Sequence, residues 1–102
     1  TRRFSVLLTG TQIPGSLREP WIQGFPNPFT GTTTIRYSLP LPGKVRIILY
    51  DPSGRVLKVL VNETQNSGEH SISLEGRKIG KGLFFCRMDT EGGIHVIRLV
   101  SR

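Results

Sequence analysis

Apolar and polar residues alternate with a period of two in several short runs of the chain. The clearest run is residues 32–39, where Ile35 and Tyr37 share one face and Arg36 lies on the other. A period of two is typical of a strand with one buried face. No run of ten or more residues places apolar positions at helical spacing. The pattern therefore predicts short strands and no long helix.

A hairpin at the centre of the chain is the strongest single prediction. Val45, Ile47 and Leu49 alternate with their neighbours and would line one face of a strand. Residues 51–54 then read Asp-Pro-Ser-Gly. Proline fixes φ, Asp and Ser side chains bond nearby amides, and glycine tolerates positive φ, so this sequence predicts a turn. A second apolar run, residues 56–61, returns along the first strand.

The remaining alternating runs are residues 2–9, 69–74, 83–89 and 94–100, separated by glycines, prolines and polar residues. Six or seven short strands at turn-marked spacings of about ten residues are typical of an antiparallel β-sandwich, so we predict an all-β fold. The alternation predicts that the following residues form its core: Ile35, Tyr37, Val45, Ile47, Leu49, Val56, Leu60, Ile72, Leu74, Phe84, Cys86, Met88 and Val96.

Residues 1–24 differ from the rest and are predicted to form a separate segment before a domain at residues 25–102. Within this segment Phe4, Val6 and Leu8 share one face of a possible strand, which has no evident hairpin partner. It could be an edge strand, a linker, or an arm that pairs with a neighbouring molecule. We call residues 4–9 the arm.

Three apolar residues, Ile48, Leu83 and Phe85, fall on faces that the alternation assigns to solvent. Either a β-bulge bends the register or another segment covers these faces, and the arm is the available candidate. Elsewhere, two prolines flank Asn27 and force extended or turn geometry. We expect Phe29, together with Phe25, to plug the ends of this loop against the core.

The chain has 102 residues, which fits one domain, and its 36% hydrophobic content with 12 Gly and 7 Pro suits short strands and turns. A charge of +7 permits non-specific binding to polyanions. However, the basic residues are scattered, and only Arg77, Lys78 and Lys81 come near a cluster. Exposed aromatics to accompany them are few, so we expect no specific nucleic-acid partner.

Catalytic and metal-binding chemistry finds little support in the sequence. His70 and His95 lie on separate predicted strands, and no Ser or Cys stands in a nucleophile elbow. We expect His70 to bond a loop carbonyl at the edge of the core. The lone Cys86 has no disulfide partner within the chain, and carboxylates near turns are too few for a calcium site. We therefore predict no enzyme activity, no metal and no cofactor.

No stretch resembles a signal peptide or a transmembrane segment. The chain begins at Thr1 and not at Met. We expect it to be a fragment or a processed form of a longer protein.

Several short motifs occur in order along residues 25–102. They are Pro26-Asn27-Pro28-Phe29, Thr33-Thr34-Ile35, Gly43-Lys44-Val45, Leu49-Tyr50-Asp51-Pro52-Ser53-Gly54-Arg55-Val56, Ser67-Gly68-Glu69-His70 and Gly82-Leu83-Phe84-Phe85. With these motifs the chain resembles the C-terminal sorting domain of type IX secretion cargo proteins, and the similar Ig-like domain of the flagellar hook-capping protein. The resemblance implies a seven-stranded, Ig-like β-sandwich at the C-terminus of a larger secreted protein.

The same resemblance implies a non-catalytic address that the outer-membrane translocon reads. It also implies that the upstream cargo is then anchored at the bacterial cell surface. Arg98 stands where the family usually shows Lys, and Phe84 where Tyr is common. The recognition positions that the resemblance implies are Pro26, Asn27, Pro28, Phe29, Asp51, Gly54, Arg55, Gly82, Ile97, Arg98, Leu99 and Val100.

The alternative function is an extracellular structural subunit that assembles with neighbouring copies of itself into filaments or layers. In this alternative the arm of one copy adds a strand to the next copy, where Ile48, Leu83 and Phe85 would form an exposed groove. A head-to-tail contact of this kind need not close, so it can produce a filament. The position of the arm distinguishes the two functions.

Overall fold

The computed structural model describes residues 19–102, so the arm lies outside the described residues. Regular structure in this range consists of strands, apart from one short helix. The elements are β1 (Trp21–Phe25), β2 (Thr32–Leu39), β3 (Gly43–Tyr50), β4 (Val56–Gln65), β5 (Gly68–Glu75), α1 (Gly76–Ile79), β6 (Gly82–Thr90) and β7 (Gly93–Ser101).

The strands form two sheets. One has three strands in the order β1-β2-β5, and the other has four in the order β4-β3-β6-β7. Neighbouring strands within each sheet are antiparallel. Two antiparallel sheets packed in this way form an Ig-like sandwich. The predicted all-β sandwich of about seven strands is therefore confirmed.

The core lies between the sheets, and most of the predicted core residues are in it. Val96 is an exception, with 55% of its surface exposed. Its partner in the register is Arg87, whose neighbours Cys86 and Met88 point inward, so Val96 lies on the outer face of the four-stranded sheet. Val56 is also exposed, at 52%. The prediction of a core position was wrong for both valines because each lies on an edge strand with apolar residues on its outer face.

Two β-bulges interrupt the pairing of β3 with β4. The register shifts between Ile47 and Ile48, and again between Leu49 and Tyr50. A bulge was one of the two explanations predicted for apolar residues on outer faces. Ile48 is nevertheless buried, with Val59 opposite it on β4 and Arg87 opposite it on β6. The expectation that Ile48 is exposed in a groove was therefore wrong.

Leu83 and Phe85 lie on the same outer face as Ile48 and are half-buried. Phe85 has Tyr50 opposite it on β3 and Arg98 opposite it on β7. The outer face of the four-stranded sheet thus mixes apolar and basic side chains.

The sequence did not predict β1. This strand pairs with β2, and its Gly24 lies so close to β7 that a Cβ atom there would be 2.7 Å from Cδ2 of Leu99. The predicted boundary between residues 24 and 25 falls inside β1. Phe25 is 74% exposed because it points away from the face that carries Ile22, so its predicted packing against the core was wrong.

Candidate functional site

Several of the recognition positions implied by the family resemblance lie at one end of the sandwich. β7 ends there at Ser101, which pairs with Gly82 at the start of β6. β3 also ends there, because its last residue Tyr50 pairs with Phe85 near the start of β6. We call this the distal end and define it by residues 26–31, 51–58, 75–82 and 97–102.

The side chain of Asn27 joins the loop after β1 to the last strand. Its Nδ2 donates a hydrogen bond to the carbonyl oxygen of Arg98 at 2.7 Å, and its Oδ1 accepts one from the N–H of Val100 at 2.9 Å. A side-chain amide carries one acceptor and a donor side by side. Asn27 therefore takes the place of a neighbouring strand along this part of β7.

Phe29 continues this contact with its backbone. Its N–H donates to the carbonyl of Val100 at 2.9 Å, and its carbonyl accepts from the N–H of Arg102 at 2.9 Å. These two bonds make a parallel bridge between Phe29 and Ser101. The Phe29 ring is buried, which confirms the prediction that it plugs the loop against the core. Loop and side chain together cover the outer edge of β7 where an unpaired strand would otherwise be exposed.

The start of the loop is held from the opposite side. Thr33 Oγ1 donates to the carbonyl of Pro26 at 2.7 Å, and Thr33 is itself buried. The peptide bonds before Pro26 and Pro28 are both cis. The bond from Thr33 fixes the loop to β2 at one end, and the bonds of Asn27 and Phe29 fix it to β7 at the other.

Helix α1 contributes a residue that the sequence analysis missed. The N–H of Gly76 donates to the carbonyl of Gly31 at 2.6 Å. A Cβ atom on Gly76 would lie 2.9 Å from Oγ of Ser101 and 3.2 Å from Cε2 of Phe29. A side chain would not fit there, so Gly76 lets α1 pack directly on the loop and on β7. A glycine directly after an apolar alternating strand was the only signal in the sequence.

The turn after β3 was predicted correctly from its residues. Asp51 Oδ1 accepts hydrogen bonds from the backbone N–H of Ser53 at 2.9 Å, the hydroxyl of Ser53 at 2.6 Å and the N–H of Arg55 at 3.0 Å. Gly54 has a φ of +92°, as the turn requires. These bonds, with that from the Ser53 hydroxyl first, lower the pKa of Asp51.

The turn stands apart from the loop that covers β7. Among the residues that the structure describes, no hydrogen bond or ion pair joins residues 51–55 to residues 26–29. The structure thus brings residues 26–29, Gly82 and the end of β7 together, and it places Asp51, Gly54 and Arg55 separately at the same end.

A comparison with known protein families shows which family the chain belongs to. The family model of the secretion system C-terminal sorting domain matches residues 23–102, from within β1 to the residue after β7. The chain belongs to this family. The predicted resemblance is therefore confirmed: the chain is a sorting domain of type IX secretion, a signal that marks proteins as secreted or anchored at the cell surface. A search of curated proteins gives no match.

The sorting domain places His70 and its cysteine in structural positions. His70 Nε2 donates to the carbonyl of Asn66 at 2.9 Å, and its ring stacks on Tyr37 with centroids 5.2 Å apart. The predicted bond from His70 to a loop carbonyl is confirmed. Burial raises the pKa of the Cys86 thiol to about 12, so the thiol is protonated and a poor nucleophile at neutral pH.

Two further properties concern the described part of the sorting domain. Within residues 19–102 no three His, Cys, Asp or Glu side chains converge in a way that could hold a metal ion. No helix in the same range has the length and apolar character needed to span a membrane.

Proposed function

We propose that the secretion machinery reads this sorting domain at its distal end, as a folded surface and without catalysis. The main support for this proposal is that Asn27 forms hydrogen bonds with the backbone of Arg98 and of Val100 in β7. This contact joins two of the segments that the family resemblance nominated for recognition, residues 26–29 and 97–100. Recognition would then require the loop and the last strand to be assembled together.

The state of the β7 edge supports recognition of a folded surface. From the carbonyl of Arg98 to the N–H of Arg102, the outward backbone groups of β7 are bonded to Asn27 and Phe29, so a partner strand cannot pair with them. A protein that recognises this end would instead contact the exposed side chains of Pro26, Pro28 and Arg98. We infer that the translocon recognises their arrangement, and that a linked cargo protein is exported and anchored at the surface as a result.

The states of Cys86 and His70 support a non-catalytic role. The Cys86 thiol is buried and protonated, and His70 is engaged by Asn66 and Tyr37. Catalysis by a nucleophile would need an activated side chain beside a base. We therefore propose that the domain acts by binding alone.

An export assay tests this function. A reporter fused in front of residues 1–102 is expressed in a bacterium with type IX secretion, and extracellular reporter is measured. Deletion of residues 97–102 and the substitution Asn27→Ala should both abolish or strongly reduce export. Asn62→Ala, on the exposed part of β4, is the matched control and should export normally. Circular dichroism of each purified chain shows whether the Asn27→Ala domain remains folded. Normal export of a folded Asn27→Ala variant and of the deletion would overturn the proposal.

Assembly by strand addition is a second candidate, favoured by the other half of the β7 edge. Backbone groups point alternately along a strand, so Ile94 and Val96 direct theirs to the same side as Arg98 and Val100. Among residues 19–102 nothing pairs with Ile94 or Val96 on that side, and their side chains are 58% and 55% exposed. We propose this edge, in place of the groove expected at Ile48, as the site where the arm of a second copy would add.

The oligomeric state tests the second candidate. The chain is sized by gel filtration with and without residues 1–10 at several concentrations. Larger species that disappear on truncation would support assembly through the arm. Identical monomeric elution of both chains would exclude it.

A further inference from the structure

The charges of the described chain are segregated along the sandwich. The distal end carries seven basic side chains and two carboxylates, whereas the rest of residues 19–102 carries four basic side chains and five carboxylates. The basic residues come from three separate segments, which is why they are scattered in the sequence. The seven are Arg55, Lys58, Arg77, Lys78, Lys81, Arg98 and Arg102.

Most of the distal charge is not neutralised within the molecule. Ion pairs engage three of the seven basic side chains with Asp51 or Glu75. Four have no carboxylate within 4.0 Å among the described residues: Lys58, Lys81, Arg98 and Arg102. Unpaired like charges at one end of a small domain produce a positive field that attracts an acidic partner and orients its approach.

A groove lies within this field, between β4 and β5, each of which is an edge strand of its sheet. Its volume is about 280 Å³, and Leu57, Leu74 and Ile79 contribute apolar lining. Lys58 and Lys78 also line it, and the only carboxylate in the lining is Glu75, 3.7 Å from the Lys78 ammonium. The groove therefore combines a few apolar side chains with a basic rim, and most of its lining is polar.

We propose that the distal end binds an acidic segment of the secretion protein that recognises the sorting domain. This inference rests on the proposed function and names the chemistry of the partner. An apolar side chain of the segment occupies the groove on Leu57 and Ile79, and its carboxylates pair with Lys58 and the other unpaired cations. A peptide segment can place one apolar side chain and several carboxylates in a groove of this size, whereas the phosphates of a membrane lie in its surface plane and do not enter the groove.

Charge neutralisation in the same export assay tests the partner. A triple variant, Lys58→Gln, Lys81→Gln and Arg102→Gln, removes three unpaired distal cations. Its matched control, Arg36→Gln, Lys44→Gln and Arg46→Gln, removes the same charge away from the distal end. We expect the distal variant to export about tenfold less reporter and the control to export normally. Leu57→Gln, which replaces an exposed apolar side chain of the groove with a polar one, should also reduce export.

Outcomes of this test separate the inference from the proposed function. If deletion of residues 97–102 abolishes export while the folded distal variant exports normally, the acidic partner is excluded. The proposed recognition of the distal end is then retained. If the chain that lacks residues 97–102 is exported normally, both the proposed function and the inference are wrong. Sedimentation of the full chain with vesicles of phosphatidylglycerol and phosphatidylcholine gives a further result. Vesicle binding that needs the three cations, with normal export of the distal variant, would assign the charge to a membrane and overturn the inference.

Discussion

The side-chain oxygen of Asn27 accepts a hydrogen bond from the backbone N–H of Val100 at 2.9 Å, across 73 positions of the chain. The same side chain donates to the carbonyl of Arg98. One amide thus fixes a loop near the beginning of the described chain to its last strand. Disturbing this side chain should loosen the edge of β7 and leave the core intact.

Asn27→Ala should lower the free energy of unfolding by about 1–3 kcal/mol, because it removes two hydrogen bonds and leaves their backbone partners to water. Amide hydrogen exchange at Val100 should accelerate, whereas the amide of Leu99, which faces β6, should change less. Asn27→Asp keeps the acceptor and should keep Val100 protected. Asn62→Ala is the control, expected to change stability by no more than about 0.5 kcal/mol. Unchanged exchange at Val100 in Asn27→Ala would contradict the role assigned to this bond.

Gly24→Ala should destabilise the sandwich by about 1–3 kcal/mol through overpacking. The new Cβ would lie 2.7 Å from Cδ2 of Leu99, which is fully buried and has little room to move. Gly43→Ala is a matched control at the start of another strand, since its Cβ would meet the nearest atom, of Glu91, at 3.7 Å. Thermal unfolding of both variants measures the difference. Equal melting temperatures would mean that β1 moves away from β7 at no cost.

The sequence predicted the faces of the inner strands correctly. In β2, β3 and β6 one set of alternate residues is buried, and Ile35, Val45 and Met88 all lie in the core as predicted. The alternation failed on β4 and β7, where Val56 and Val96 are exposed. On these edge strands both faces carry apolar residues, so only the pairing register shows which face is inside.

The candidate site was harder to predict from the sequence for a different reason. Asn27 and its backbone partners are 71 and 73 residues apart, and no local pattern connects them. The gathering of cations at the distal end also depends on the fold, because Lys58, Lys81 and Arg102 come from different segments. The family resemblance named residues 26–29 and 97–100 without showing that they touch.

Cys86 should resist alkylation in the folded chain. Its thiol is fully buried, and burial raises its pKa to about 12, so very little thiolate is present or reachable at pH 8. Iodoacetamide should modify the chain only after denaturation, and mass spectrometry measures the extent. Rapid labelling of native protein would show that the sandwich opens at β6.

The turn at Asp51 should loosen in acid. Its pKa is lowered from the model-peptide value of 3.8 by hydrogen bonds from Ser53 and Arg55, so the ionised carboxylate favours the folded turn. This contribution is complete at pH values above 3.8 and is lost as the pH falls through the lower folded pKa. The chemical shifts of Ser53 and Arg55 amides, followed by NMR, should report one transition below pH 3.8. Asp51→Asn should abolish the transition, and its persistence in that variant would assign it to another group.

The contact between residues 26–29 and β7 also bears on the order of folding. It closes a loop of more than 70 residues, and the entropy of closing a loop grows with its length. Folds dominated by such distant pairings form slowly. During synthesis the partners of Asn27 are made after every other strand has been completed. A surface that depends on this contact would therefore form only on a chain whose translation has passed residue 100, so an interrupted chain would not display it.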